Sequence, residues 1–216
     1  MVNIVGHTML ATSTMHIATQ RVSSTWPWYV IRGSGFVAAG LLILLMLSGI
    51  GQVTGILYRW IEPIKVWAIH KAMAIALLAA IAVHGGFLLL DTYMPFSIGK
   101  ILIPFDSSYN NGTKFAGIAL GSLAVTFGIV AMYLIIVLVA SSLGWIDTKT
   151  KRWRKLHYFS YIVVLLVFLH ALYTGSDLRH GLFREAWEAM IIVMFIAILM
   201  RLWRAKVVQK VDDNHQ

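Results

Sequence analysis

Apolar residues fall in long blocks along this chain. Five blocks, about 30–51, 66–90, 116–141, 157–173 and 189–204, are each bounded by polar or basic segments. About 20 apolar residues cross a hydrocarbon core, so the pattern predicts about five membrane-spanning helices. Residues 1–27 are broken by His7, Thr8, Ser13, His16, Gln20 and Arg21. That stretch is too polar to span, and no cleavable leader pattern stands out. The expected organisation is an external segment 1–27, one membrane domain 28–206 and a cytoplasmic tail 207–216. The fold class is an all-α integral membrane protein.

Composition supports this reading. Of 216 residues, 59% are hydrophobic and 12% charged, too apolar for a soluble domain. There is no cysteine, which excludes disulfides, thiol catalysis and thiolate metal sites. No glycine-rich phosphate loop appears.

The net charge of +9 sorts by side. Loop 52–65 carries Arg59 and Lys65. Loop 142–156 carries Lys149, Lys151, Arg152, Arg154 and Lys155. The C-terminal stretch carries Arg201, Arg204, Lys206 and Lys210. With Lys71, these make 12 of the 18 basic residues. Arg21, Arg32, Lys100, Lys114, Arg179 and Arg184 fall on the other side. The positive-inside rule then places the N-terminus outside and the C-terminus in the cytoplasm of a cell (inner or plasma) membrane. Nucleic-acid binding is not expected; membrane lipid is the expected surrounding. Tryptophans at 26, 28, 60, 67, 145, 153, 187 and 203 cluster near span ends, as in an interfacial belt. The longest external loop, 91–115, holds turn signals at Pro95, Pro104 and Asn110-Asn111-Gly112.

Four histidines interrupt two of the apolar blocks. His70 and His84 stand fourteen positions apart, His157 and His170 thirteen. Histidine is costly in hydrocarbon and marks function there. At 1.5 Å per residue the separations span about 21 and 19.5 Å, one level per leaflet. Both helices run from inside to outside, so His70 meets His157 and His84 meets His170. Two facing imidazoles at each level suit haem iron with two axial ligands, giving a bundle with two stacked haems. Phase is imperfect: fourteen steps fall about 40° short of whole turns and thirteen about 140° short. A tightened first turn at His157 is one remedy. Small residues Ala74, Ala80, Gly85, Gly86 and Ala171 are expected to admit a flat ring. Carbonyls one turn earlier, at Val66, Ala80 and Leu166, are the expected second-nitrogen partners. His7, His16, His180 and His215 read as solvated.

This His-x13-His and His-x12-His spacing resembles the ferric-reductase-like transmembrane domain, the haem-bearing membrane part of NADPH oxidases and ferric reductases. Segments 28–35 (Trp-Tyr-Val-Ile-Arg-Gly-Ser-Gly), His70-Lys71, 104–109 (Pro-Phe-Asp-Ser-Ser-Tyr) and 153–158 (Trp-Arg-Lys-Leu-His-Tyr) are similar to stand-alone bacterial members. The likeness covers roughly residues 26–205. It implies two haems b, ligated by His70 and His157 (inner) and by His84 and His170 (outer), carrying electrons from the cytoplasmic to the outer side. It also implies that Arg32 lies near an outer haem propionate. The oxidases carry a further His where this chain has Leu88, which argues against a dedicated superoxide-forming site. No flavin or NADPH domain follows the fifth span in this sequence. The donor is therefore expected to be a separate flavoprotein or quinol, with flavin bound only by a partner or at the cytoplasmic face. The external acceptor is not identified. Alternatives are the haem subunit of a two-component periplasmic reductase and, from another class, a proton-relay transporter.

Overall fold

The computed structural model describes residues 3–92, 96–115, 117–144 and 151–213, with side chains over 25–92, 96–114, 117, 119–144 and 151–204. Helices dominate it: α1 (Asn3–Val53), α2 (Pro63–Leu88), α3 (Ile98–Leu102), α4 (Leu120–Gly144), α5 (Lys151–His157), α6 (Phe159–Thr174) and α7 (Leu182–Asp213). Two-residue strands, Lys114–Phe115 and Ile118–Ala119, pair antiparallel before α4. Five helical stretches are long and apolar enough to cross a membrane: Thr25–Val53, Pro63–Leu88, Leu120–Gly144, Lys151–Thr174 and Leu182–Arg204.

The first helix starts far ahead of the expected span. It runs unbroken from Asn3 through Pro27 to Val53. At the other end α7 continues to Asp213, past residue 206. In each case the chain stays helical beyond its apolar block, because backbone hydrogen bonding does not require apolar side chains.

Two antiparallel hairpins make up the bundle, α1 against α2 and α4 against α6. They touch each other much less than their own partners. Leu42 and Met46 from α1, Leu77 from α2, Ile135 and Leu138 from α4 and Phe168 from α6 form the shared core. Trp187 of α7 joins it, 4% exposed, its ring 4.7 Å from Phe168. This tryptophan is thus core, not interfacial belt; Trp145 lies outside the described residues. Val37, Leu44, Ile75, Ile136, Leu165 and Phe195 stand on the outside of the bundle. In hydrocarbon such a surface is at no disadvantage, so packing inside depends on close fit.

The charged groups gather at two ends. Arg201 of α7 lies over Tyr158 (5.1 Å to the ring centre), and Arg204 donates to the Thr54 carbonyl at 3.3 Å. The ends of α1 and α7 and the start of α6 therefore share one basic end. At the opposite end, loop 91–115 straps the bundle. Phe105 N–H donates to Thr126 Oγ1 (3.0 Å), and Asn111 Nδ2 donates to the Tyr173 carbonyl (2.9 Å). Gly121 is needed beneath this strap, since a Cβ there would stand 2.8 Å from the Tyr109 carbonyl oxygen.

Candidate functional site

His70 and His84 lie on α2, His157 ends α5 and His170 lies on α6, and three of the four pack on a glycine of the preceding long helix. Gly35 and Gly49 on α1 have the same fourteen-position spacing as His70 and His84 on α2. Because the helices are antiparallel, Gly35 faces His84 and Gly49 faces His70. A Cβ would lie 3.3 Å from the His84 ring at position 35 and 3.6 Å from the His70 ring at position 49. On α4, Gly128 faces His170 even more tightly, at 2.5 Å.

A glycine in a helix uncovers the carbonyl four residues earlier, the one its own N–H bonds. His84 Nδ1 donates to the Ile31 carbonyl at 2.9 Å, four residues before Gly35. His170 Nδ1 donates to the Ala124 carbonyl at 2.8 Å, four residues before Gly128. A carbonyl oxygen has lone pairs for both donors. These bonds place the ring proton on Nδ1 and leave Nε2 bare, the form a metal-ligating imidazole takes.

Those partners correct the expectation drawn from sequence. The expected carbonyls at Val66, Ala80 and Leu166 lie on the histidines' own helices. The observed ones lie on the neighbouring helix, because an i−4 carbonyl on the same helix is already covered by its own turn. Glycine placement differs too. Gly85 faces Ile101 (3.8 Å), and Gly86 has nothing within 4 Å. The glycines that admit the rings are Gly35, Gly49 and Gly128, on helices carrying no ligand candidate.

His84 and His170 are brought together, ring centres 6.4 Å apart and planes at 83°. A metal–imidazole bond of about 2 Å on each side, as for zinc, plus about 1 Å from nitrogen to ring centre, would set two imidazoles on opposite sides of one ion about 6 Å apart. The observed spacing fits an ion held between them. Two imidazoles give only two donors, and no cluster of three or more His, Cys, Asp or Glu exists among the described residues. Any ion held there would need its remaining donors from a bound group, such as a macrocycle. Beside the pair opens a cavity of about 1220 Å³, above the usual range of about 300–1,000 Å³ for ligand pockets.

Arg32 and Lys100 line this cavity. Arg32 forms an ion pair with Asp177 and stacks over Trp28 at 3.9 Å. Asp177, in the 3₁₀ turn Ser176–Leu178, was missed by sequence reasoning. It lies outside the apolar blocks and far along the chain from its partner.

His70 and His157 form the second level, within electrostatic reach of each other at the basic end and outside the large cavity. Ser48 Oγ is 2.8 Å from His70 Nδ1. His157 Nδ1 is buried and has no hydrogen-bond partner. Its ring stacks on Trp153 at 4.9 Å and 26°. The helix breaks directly after it. Tyr158 N–H bonds Lys155 and Tyr161 N–H bonds Tyr158, both i to i−3. Tightened residues turn about 20° further each, which closes part of the phase gap between His157 and His170. His180 is exposed as expected; the side chains of His7, His16 and His215 lie outside the described residues.

No curated protein and no solved structure matches the chain. Residues 34–169, more than half of its length and including His70, His84 and His157, match the family model described as ferric reductase like transmembrane component; the chain belongs to that family.

Proposed function

We propose that this protein is a di-haem b electron carrier of the cell membrane, taking electrons at its basic, cytoplasmic end and delivering them to an external acceptor at its Arg32 end. Membership of the ferric-reductase-like family supports a membrane electron-transfer function. The observation that carries the finer reading is the opposed pair His84 and His170, 6.4 Å apart, each with Nδ1 tied to main chain of the next helix.

When bound, the two haems supply the one-electron chemistry. His84 and His170 would hold the outer iron, His70 and His157 the inner one. The carbonyls of Ile31 and Ala124 fix the outer rings and keep both in the Nδ1–H form. Arg32 would offer a guanidinium to a propionate, a charge-assisted contact, with Asp177 and Trp28 holding its head in the cavity. Core residues Leu42, Leu77 and Ile135 give the cavity an apolar wall. At His84 and His170 the fixed Nδ1–H donors argue against a proton relay through those rings, which requires imidazoles free to exchange that proton.

Lys151, Arg152, Arg154 and Lys155 are exposed on α5 at the basic end. They suit an acidic donor flavoprotein, since charge complementarity raises encounter rate; membrane quinol is the other donor class. Residues 28–206 form the haem domain in this reading, with the N-terminus outside and 207–216 cytoplasmic.

The test is reconstitution into vesicles enclosing ferricyanide, with reductant added outside. Bleaching of the enclosed ferricyanide that needs the protein and is lost in His84→Ala supports the function. Bleaching unaffected by any of the four histidines overturns it.

A further inference from the structure

The two levels are not held alike. At the outer level both rings donate directly to main-chain carbonyls uncovered by Gly35 and Gly128. At the inner level the same device is altered twice. Gly49 uncovers the Leu45 carbonyl, but Ser48 Oγ occupies it at 3.0 Å and stands between it and His70. With its own proton on Leu45, the Ser48 oxygen accepts from His70 Nδ1–H. On the other hairpin the register that sets Gly128 against His170 brings Ser141 level with His157, an equal number of positions along each helix. Ser141 Oγ bonds Leu138 on its own helix, and position 141 is not a glycine like Gly128. His157 Nδ1 accordingly has no partner, and Trp153 stacks on its ring instead. Trp153 is itself tied to α4, its Nε1–H donating to Ser142 Oγ at 3.3 Å.

We propose that Ser48 and Trp153 are the positioning residues of the inner pair, Ser48 fixing His70 by a hydrogen bond and Trp153 fixing His157 by stacking; this rests on the reading of the four histidines as haem ligands. The outer pair is set by the main-chain carbonyls of Ile31 and Ala124, which substitution of those two side chains leaves in place. The inner pair is set by two side chains and is tunable by them. Loss of a bond from Nδ1–H lowers the basicity of a ligating imidazole, which favours the reduced iron and raises its potential. Loss of the stacking surface frees His157, whose Nδ1 has no hydrogen bond to hold the ring.

The experiment uses the purified full-length chain with Ser48→Ala, Ser48→Thr, Trp153→Leu and Trp153→Phe. Reduction potentials of the two levels are titrated by absorption, and carbon monoxide is added to the reduced proteins. Ser48→Ala should raise the inner potential and leave the outer one in place, with Ser48→Thr restoring it. Trp153→Leu should make one haem per chain sensitive to carbon monoxide, with Trp153→Phe insensitive. The unchanged outer level reports that each variant is folded. In parallel, histidine ¹⁵N shifts are compared in chains prepared without haem. Two haems with neither inner property moved by Ser48→Ala and Trp153→Leu would overturn the proposal alone. A wild-type chain without haem would overturn the ligand reading instead. The ¹⁵N shifts of His70 and His157 would then still decide whether Ser48 and Trp153 hold them, unchanged shifts meaning that they do not.

Discussion

Gly128 and His170 touch so closely that a methyl group on residue 128 would stand 2.5 Å from the imidazole Nδ1. His170 has no room to retreat without breaking its bond to the Ala124 carbonyl. The corresponding distances are 3.3 Å for Gly35 at His84 and 3.6 Å for Gly49 at His70. Alanine at the three positions should therefore have graded effects. Gly128→Ala is expected to cost about 1–3 kcal/mol from overpacking and to remove one haem level. Gly35→Ala should be intermediate. Gly49→Ala and the open-space control Gly33→Ala should be neutral or gain up to about 1 kcal/mol of helix propensity. Thermal unfolding with absorption of the bound haem checks the series, and equal losses at Gly33 and Gly128 would refute it.

Arg32 and Asp177 join α1 to the turn after α6 at the cavity mouth, with side chains 30% and 23% exposed. Partly exposed pairs contribute about 0–1 kcal/mol. A double-mutant cycle with Arg32→Ala and Asp177→Ala should give a coupling in that range, read by thermal or denaturant unfolding. A coupling of several kcal/mol would mean that the pair is a structural clasp.

Sidedness is directly open to labelling, because the native chain has no cysteine. Lys100→Cys and Arg152→Cys stand at opposite ends of the bundle. In intact cells a membrane-impermeant maleimide should react with the first only, and with the second after permeabilisation. The reverse pattern would invert the proposed direction of electron flow.

Much of the architecture could be read from the residues themselves. Block length and the cost of polar groups in hydrocarbon found all five spans, and the helical rise placed the four histidines toward the two ends of the bundle. Equal direction of α2 and of α5–α6 followed from counting spans, and it pairs His84 with His170. What stayed hidden depended on cross-helix register. Nothing local marks Gly35 or Gly128 as the cradle of a ring far along the chain. The spacing Gly35–Gly49, matched to His70–His84, is the signal that would have found half of it. Asp177 was invisible because an acidic residue in a polar turn is ordinary until its partner is known. The break after His157 is legible in the angular phase, since the step from His157 to His170 does not complete whole helical turns.

The most direct test of the central claim is a reduced-minus-oxidised spectrum of the purified protein with a haem-to-protein ratio, taken for wild type, His84→Ala and His170→Ala. The account predicts two low-spin b haems per chain in the wild type and one in each variant, the same level being lost in both. A wild-type chain without haem after expression with ample haem supply, or variants that each retain both levels, would contradict it.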